Sequence, residues 1–331
     1  MTPRKYKTVF WTTAVFCVIS TLLSLCLGAV SLSVSQLWQG FLEGPVSTAG
    51  QILWFSRLPR TVACLLAGAA FAVSGAVIQG VLHNSLASPG IIGVNAGAGL
   101  AVTLCCAFGA LSGWAIAGSA FLGAVAAVLL IVWIGQKTGA SRTTVILSGV
   151  AVNAFLNALS EAVTTLVPEV SMLSIDFRVG GFASVSTVRL IPAGVLILCA
   201  LAGIFTLCSE LDVLALGEET AKSLGMRVAQ TRTVFLFLAA LLAGSAVSFA
   251  GLLGFVGLVV PHAARKLVGT GSRHLIPLCA VGGAGFITAC DLFSRLVFTP
   301  YEVPVGILMA VLGGPFFLLL LTQRKGDNAH A

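Results

Sequence analysis

Charge is what this sequence has least of: ionisable Asp, Glu, Lys and Arg make up 9% of its 331 residues. With 58% hydrophobic residues and a mean hydropathy of +1.05, too little polar surface remains to clothe a soluble globule of this size. None of the six lysines follows a glycine, so the G-x-x-x-x-G-K-[ST] nucleotide loop is missing and any ATP energy has to come from another chain. The nine cysteines contain no C-x-x-C spacing, and His83, His262, His274 and His330 form no H-x-x-x-H pair. The expectation is therefore that this chain binds no metal and no cofactor. Acids within the apolar stretches are limited to Glu161 and Asp291, in different stretches, which leaves no paired carboxylates and no hydrolase triad. An enzyme is not expected. The 18 basic residues fall singly or in twos and threes beside apolar runs, where orientation in a bilayer accounts for them better than nucleic acid does.

Long apolar runs are what the chain has in abundance. They lie at about residues 8–34, 58–82, 91–111, 113–134, 144–167, 189–208, 233–251, 252–267, 274–298 and 303–322. A helical span needs roughly 20 residues, so ten of them consume about 200 and leave no room for a soluble domain. The expected fold is an all-α polytopic membrane protein of about ten transmembrane helices, forming one transmembrane domain over residues 1–331. With both termini placed on the cytoplasmic side, 13 Lys and Arg fall inside and 5 outside, as the positive-inside tendency requires. Residues 36–55 are read as a mixed outer loop and 168–188 as an outer segment. The run at 252–267 is short and interrupted by Gly251, Gly254, Gly257 and Pro261, the pattern of a broken helix.

The polar stretch 209–232 departs from this background, holding seven of the 29 charged residues. Asp212 is placed to cap a first short helix that Gly217 ends. Glu218 and Glu219 then open a second, complementing its N-terminal dipole, with Lys222 near its end and Gly225 as the stop. Two capped turns in a long polar loop suit a docking surface for a partner. On the other side, Arg57, Arg60 and Arg295 reach the outer ends of two spans against the inside rule. They read either as snorkelling anchors or as a basic surface for an acidic partner. Asp291 precedes Arg295 by four residues, the spacing of a pair on one helix face. Glu161 has no such neighbour and must face the bundle interior or water; an ion-coupled secondary transporter would use it as a proton relay.

Several motifs resemble the iron-chelate uptake (FecCD-type) permeases of bacterial ABC importers, the family that includes the cobalamin importer's permease. They are Arg57-Leu58-Pro59-Arg60, the small-residue run from Gly68 to Gly80, and Pro89-Gly90-Ile91-Ile92-Gly93-Val94. Further along come Leu216-Gly217-Glu218-Glu219 with Ser223-Leu224-Gly225, residues 255–262 with Arg265, Glu302-Val303-Pro304-Val305-Gly306, and Gly314-Pro315-Phe316-Phe317. The resemblance implies import of an iron-siderophore or related metal chelate, or else of cobalamin or haem. It also implies a second permease copy in a homodimer, separate cytoplasmic ATPase subunits and an extracytoplasmic substrate-binding protein. Leu211, Asp212, Leu216, Gly217, Glu218, Glu219, Leu224, Gly225 and Arg227 would couple to the ATPase, and Arg57, Arg60 and Arg295 would meet acidic residues of the binding protein. Ala140, Ser141 and Thr143 would lie near a cytoplasmic gate. Two segments depart from the family pattern: Asn84-Ser85-Leu86-Ala87-Ser88-Pro89 lacks its first proline and its acid, and Phe177-Arg178-Val179-Gly180-Gly181 replaces W-x-x-G-S.

Overall fold

A computed structural model describes residues 3–28, 33–137, 142–297, 299 and 301–327. Among these there is no β-strand, as apolar surroundings demand of an open chain: without water, backbone N–H and C=O groups are satisfied only inside helices or closed barrels. The helices are α1 (Pro3–Cys26), α2 (Val34–Glu43), α3 (Thr48–Ile52), α4 (Leu58–Leu82), α5 (Val94–Ala107), α6 (Gly113–Lys137), α7 (Arg142–Leu166) and α8 (Glu169–Leu173). They continue as α9 (Ile175–Val179), α10 (Thr187–Thr206), α11 (Cys208–Ala215), α12 (Glu218–Ser223), α13 (Val228–Ala250), α14 (Val256–Val268), α15 (Ser272–Leu296) and α16 (Val305–Asp327).

Among the described residues seven helices are long and apolar enough to cross a membrane: α1, the continuous run Thr48–Leu82 that ends in α4, α6, α7, α10, α13 and α15. Each of the ten apolar runs carries a helix, but three fall short of a full span. These are α5 with 14 residues, α14 with 13, and the apolar part of α16, Val305–Leu319. Residues 36–55 are not the loop expected of them. Ser33 and Gln36 form a capping box, in which the Gln36 amide donates to Ser33 Oγ at 3.3 Å and Ser33 N–H donates to Gln36 Oε1 at 2.9 Å. That box starts α2, and a short 3-10 turn, α3 and a π-helical turn at Leu53–Arg57 lead directly into α4. The first span correspondingly ends at Cys26 rather than near residue 34.

The bundle is built around α4, which α13, α14 and α15 flank and whose residues 70–79 are all buried. Small residues make this possible, because lipid supplies no hydrophobic drive between helices and close backbone approach must supply the contact. A methyl on Gly68 would sit 2.2 Å from the Gly283 carbonyl oxygen, and one on Gly283 would sit 2.3 Å from the Gly68 oxygen. Gly75 is in the same relation to Gly257 on α14, at 1.9 Å.

The helix interruption foreseen at 251–257 is present between α13 and α14. Gly251 takes φ +69°, and Phe255 takes φ +65°, a left-handed conformation uncommon for an aromatic residue. Its ring fills the space above Gly313 of α16. The freed backbone groups find partners in the outer segment: Leu252 N–H donates to the Phe177 carbonyl at 2.9 Å and Gly181 N–H to the Ala250 carbonyl at 2.8 Å.

Because Gly68 and Gly283 meet backbone to backbone, Gly68→Ala should destabilise the purified protein by about 1–3 kcal/mol, the usual cost of overpacking. Gly118 on α6 has nothing within 4 Å of an added methyl, so Gly118→Ala should leave the melting temperature unchanged or raise it. Equal melting of the two variants in detergent would contradict the α4–α15 contact.

Candidate functional site

The polar stretch forms a compact platform at one end of the bundle. Cys208, Leu211 and Leu214 recur at helical spacing on α11 and are buried; Leu211 lies over Gly80 of α4. Two polar contacts fix this helix from outside it. His83, in a left-handed conformation at the C-cap of α4, places Nε2 2.9 Å from the Leu214 carbonyl oxygen. Asp212 Oδ1 accepts from the Ser272 N–H at 2.8 Å. Asp212 thus lies inside α11 and caps α15, not the helix that carries it: its partner is 60 residues away in sequence and adjacent only in space.

Gly217 at φ +117° turns the chain into α12, with Glu218 and Glu219 in its first turn and Lys222 in its last, and Gly225 at φ +83° stops it. Ala221 is fully buried. Glu218 holds α12 in place through ion pairs with Lys222 (3.0 Å) and with Arg232 of α13 (3.0 Å). Hydrogen bonds from Lys222, then Arg232, keep the Glu218 carboxyl below the usual glutamate range. Outward, the platform shows Leu216 and Leu224, each 63% exposed, with Glu219, Lys222 and Arg227 around them. Two bare leucines on a tethered, charged-rimmed surface have the composition of a protein contact.

Beside the platform is a cavity of about 280 Å³ lined by Gln79, His83, Leu211, Arg265, Thr270 and Ser272. The Arg265 guanidinium, at the end of α14, donates to Gln79 Oε1 and to the Ala76 carbonyl. The other end of the Gln79 amide donates to the Gly257 carbonyl at 3.0 Å, in the first turn of α14. One side chain therefore ties α4 to both ends of the broken helix.

At the opposite end of α4 from the platform the three arginines are drawn into a network. Asp291, 1% exposed, receives Arg60 through both oxygens (3.0–3.2 Å) and the Arg295 Nε at 3.1 Å, which is the i,i+4 pair anticipated from spacing. Arg60 also reaches Glu302 at 2.7 Å. Arg295 donates to Ser24 Oγ at 2.8 Å, and Ser24 shares a 2.9 Å hydrogen bond with Thr61. Arg57 donates to the Leu25 carbonyl at 2.5 Å. Arg57 and Arg295 are 5% and 6% exposed, whereas the Arg60–Glu302 pair opens on a cavity of about 140 Å³ walled by Asp176 and residues 180–184 and 303–305.

Of the expected gate residues, Ala140 and Ser141 lie outside the described residues, and Thr143 is exposed in the first turn of α7. Glu161 is exposed on α7. Among the described residues no three of His, Cys, Asp and Glu gather as a ligand set. Sequence reasoning passed over Gln79, His83 and Arg232; their polarity inside or beside apolar runs was the available signal.

Residues 16–323 match the FecCD transport family. The chain belongs to that family. It is 36% identical to the iron(3+)-hydroxamate import system permease FhuB of Bacillus subtilis (strain 168), over 98% of this chain and 86% of that protein. It is 35% identical to the hemin transport system permease HmuU of Yersinia pestis (93% of each) and 36% identical to the ferric enterobactin permease FepD of Escherichia coli K12 (94% of each). An inward-facing structure of a putative metal-chelate type ABC transporter superposes with a TM-score of 0.86 at 30% identity, covering 96% of this chain and 99% of that one. The FecCD chain is a multi-pass permease of the ABC importer class, not an enzyme, and ATP hydrolysis belongs to a separate subunit.

Glu218 binds its proton more weakly folded than unfolded, so its contribution is complete above the unfolded glutamate value of about 4.3 and fades as pH falls through the lower folded value. Amide protection of residues 218–223, corrected for intrinsic exchange, should be level from pH 7 to about pH 5 and drop in acid, and Glu218→Gln should flatten that profile. For the arginine network, Asp291→Asn leaves the buried Arg295 without a carboxylate and Arg60 with Glu302 alone, and should destabilise by about 3–5 kcal/mol. Glu302→Gln, at a carboxylate whose side chain is 40% exposed, should cost less than about 1 kcal/mol. Comparable losses on melting would refute the ranking.

Proposed function

We propose that the chain imports an iron-siderophore or a related metal chelate as a homodimer of ten-span subunits, both termini cytoplasmic. A substrate-binding protein delivers the chelate from outside, and cytoplasmic ATPase subunits supply the work. The platform at residues 208–226 carries this reading: it offers bare apolar side chains on short, charged-rimmed helices whose roots reach α4 and α15. On this reading Leu216 and Leu224 enter the ATPase subunit, and Leu211, Asp212, Gly217, Glu218, Glu219, Gly225 and Arg227 shape or rim the contact. Haem or cobalamin is the alternative cargo, since named relatives handle iron chelates, haem and cobalamin.

Force applied to α11 has two rigid exits. The His83–Leu214 contact leads to the inner end of α4, and the Asp212–Ser272 contact leads to the inner end of α15. These two helices are joined again at the outside by Arg60 and Asp291. ATP-driven movement of the platform would therefore tilt α4 and α15 together, and Thr143 on α7, near the proposed gate, would move with the inner ends. At the outer face, docking through Arg60 is the form that the geometry supports, a binding-protein carboxylate competing with Glu302 for the guanidinium. Arg57 and Arg295 would act from behind by holding Arg60 and Asp291 in register.

The test is uptake of labelled ferric chelates, haem and cobalamin into proteoliposomes holding the chain with its ATPase and binding protein. ATP-dependent accumulation of an iron chelate is expected. Leu216→Asp with Leu224→Asp should cut uptake at least about tenfold, as loss of interface anchors does, while insertion and melting stay normal. Full uptake by that double variant would remove the coupling role, and uptake that ignores ATP but follows a proton gradient would overturn the importer reading.

A further inference from the structure

The membrane-length helices differ in what they leave uncovered. On α1 the exposed mid-helix residues are Trp11, Thr12, Val15, Phe16, Val18, Ile19, Leu22 and Leu23, with the Thr12 hydroxyl turned back onto the Val9 carbonyl. On α10 they are Ile191, Pro192, Val195, Leu196, Leu198, Cys199, Ala202 and Phe205, and on α6 Leu122, Ala126, Leu129 and Leu130. These faces suit lipid. The uncovered surface of α7 is mixed, because beside the exposed Leu147, Val150, Phe155 and Leu159 it carries Asn157 and Glu161 at i,i+4. In the seven long helices, and among the described residues, these are the one exposed amide and the one exposed carboxylate lying more than a turn from either helix end. The covered face of α7 is fixed inward: Gly149 lies against the Ile91 carbonyl, Asn153 Nδ2 donates to the Gly90 and Ile91 carbonyls, and Ser160 Oγ hydrogen-bonds Thr103. The helix cannot turn to bury Glu161 without breaking those contacts.

A carboxylate held against acyl chains is expensive, so this face requires water or protein in front of it. Resting on the proposed homodimer, we infer that the α7 face lines a water-filled path between two copies of the chain, with the two Glu161 carboxylates forming an electronegative ring that favours cationic or neutral chelates over anionic ones. Two-fold symmetry brings like charges towards each other, which excludes dry contact and leaves room for a solvated cargo. The surroundings agree in sign. Glu169 on α8 and Asp176 on α9 are exposed just outside α7. The nearby cation, Arg178, donates to Ser160 Oγ at 2.9 Å and to Thr103 Oγ1 at 3.4 Å, on the covered side of α7, about 100° round the helix from Glu161. On α6 the only charge is Lys137, at the inner end, and α5 has none. Rings of acidic side chains select cations by the same field in channels.

The test uses the full chain with its partners in proteoliposomes. Asn157→Cys is labelled with membrane-impermeant methanethiosulfonates, one carrying a trimethylammonium and one a sulfonate. Peptide mass spectrometry reads each cysteine, with native Cys199 on the lipid face of α10 as the internal reference. Residue 157 should label while Cys199 stays unreacted, and adding Glu161→Gln should lower the cationic-to-anionic rate ratio about tenfold. Uptake of a cationic ferric trihydroxamate should fall in Glu161→Gln relative to an anionic ferric tricatecholate. Labelling at 157 no faster than at Cys199, or a rate ratio unmoved by Glu161→Gln, overturns the inference even where native mass finds two permease copies and uptake needs ATP. A complex with a single permease copy would instead overturn the dimer on which the inference rests.

Discussion

Contact between glycine backbones is the constraint on which the rest of this permease depends. Inside a bilayer the exclusion of water cannot press helices together, so α4 gains its place by approaching α14 and α15 until carbonyl groups meet Cα atoms at Gly75 and Gly257 and at Gly68 and Gly283. Such an approach leaves little freedom for side chains to adjust. It makes α4 a stiff element whose two ends move together, and both ends carry polar work: Arg57 and Arg60 at its start, Gln79, Gly80 and His83 at its close.

That stiffness explains why buried charge is tolerable at the outer end. An isolated carboxylate at the position of Asp291 would be costly, and two arginines and a hydroxyl network compensate it only because α1, α4 and α15 are already held at the right separation. The cluster of Arg57, Arg60, Arg295, Asp291 and Glu302 keeps a formal excess of one positive charge, and its accessible edge is the Arg60–Glu302 pair. Packing thus sets where on the outer surface the charge can be offered to a partner.

What could be read from the sequence follows the range of the interactions involved. The α12 turn was legible because its determinants are local: glycines at both ends, acids in the first turn and a lysine in the last. The Asp291–Arg295 pair was legible for the same reason, being one helical turn apart. Arg60 is 231 positions from Asp291 and Asp212 is 60 from Ser272, and nothing in either neighbourhood names the partner. Asp212 therefore read as a local cap. The helices at 34–52 were within reach, since Ser33 and Gln36 spell a capping box, but alternating apolar and polar residues there suggested a loop. The ten apolar runs were legible as helices and the shortness of α14 from its glycines, while the shortness of α5 was not. The glycines at 251, 254 and 257 announced the break before α14, whereas the apolar run at 91–111 includes turns at both ends of α5 that only the backbone shows.

The same reasoning bears on Glu161, the acid that sequence left without a role. In a soluble protein an exposed glutamate is unremarkable, because water solvates it wherever it sits. In a chain whose other long helices turn apolar residues outward, an exposed glutamate five residues inside its helix, about 7.5 Å from the end, specifies its surroundings. The bundle has already bonded Asn153 and Ser160 on the covered side of α7, so turning the helix to hide Glu161 would break those bonds. The solvent it needs must come from outside the single chain, and an importer has one place where water and a membrane helix meet by necessity, the route taken by its cargo.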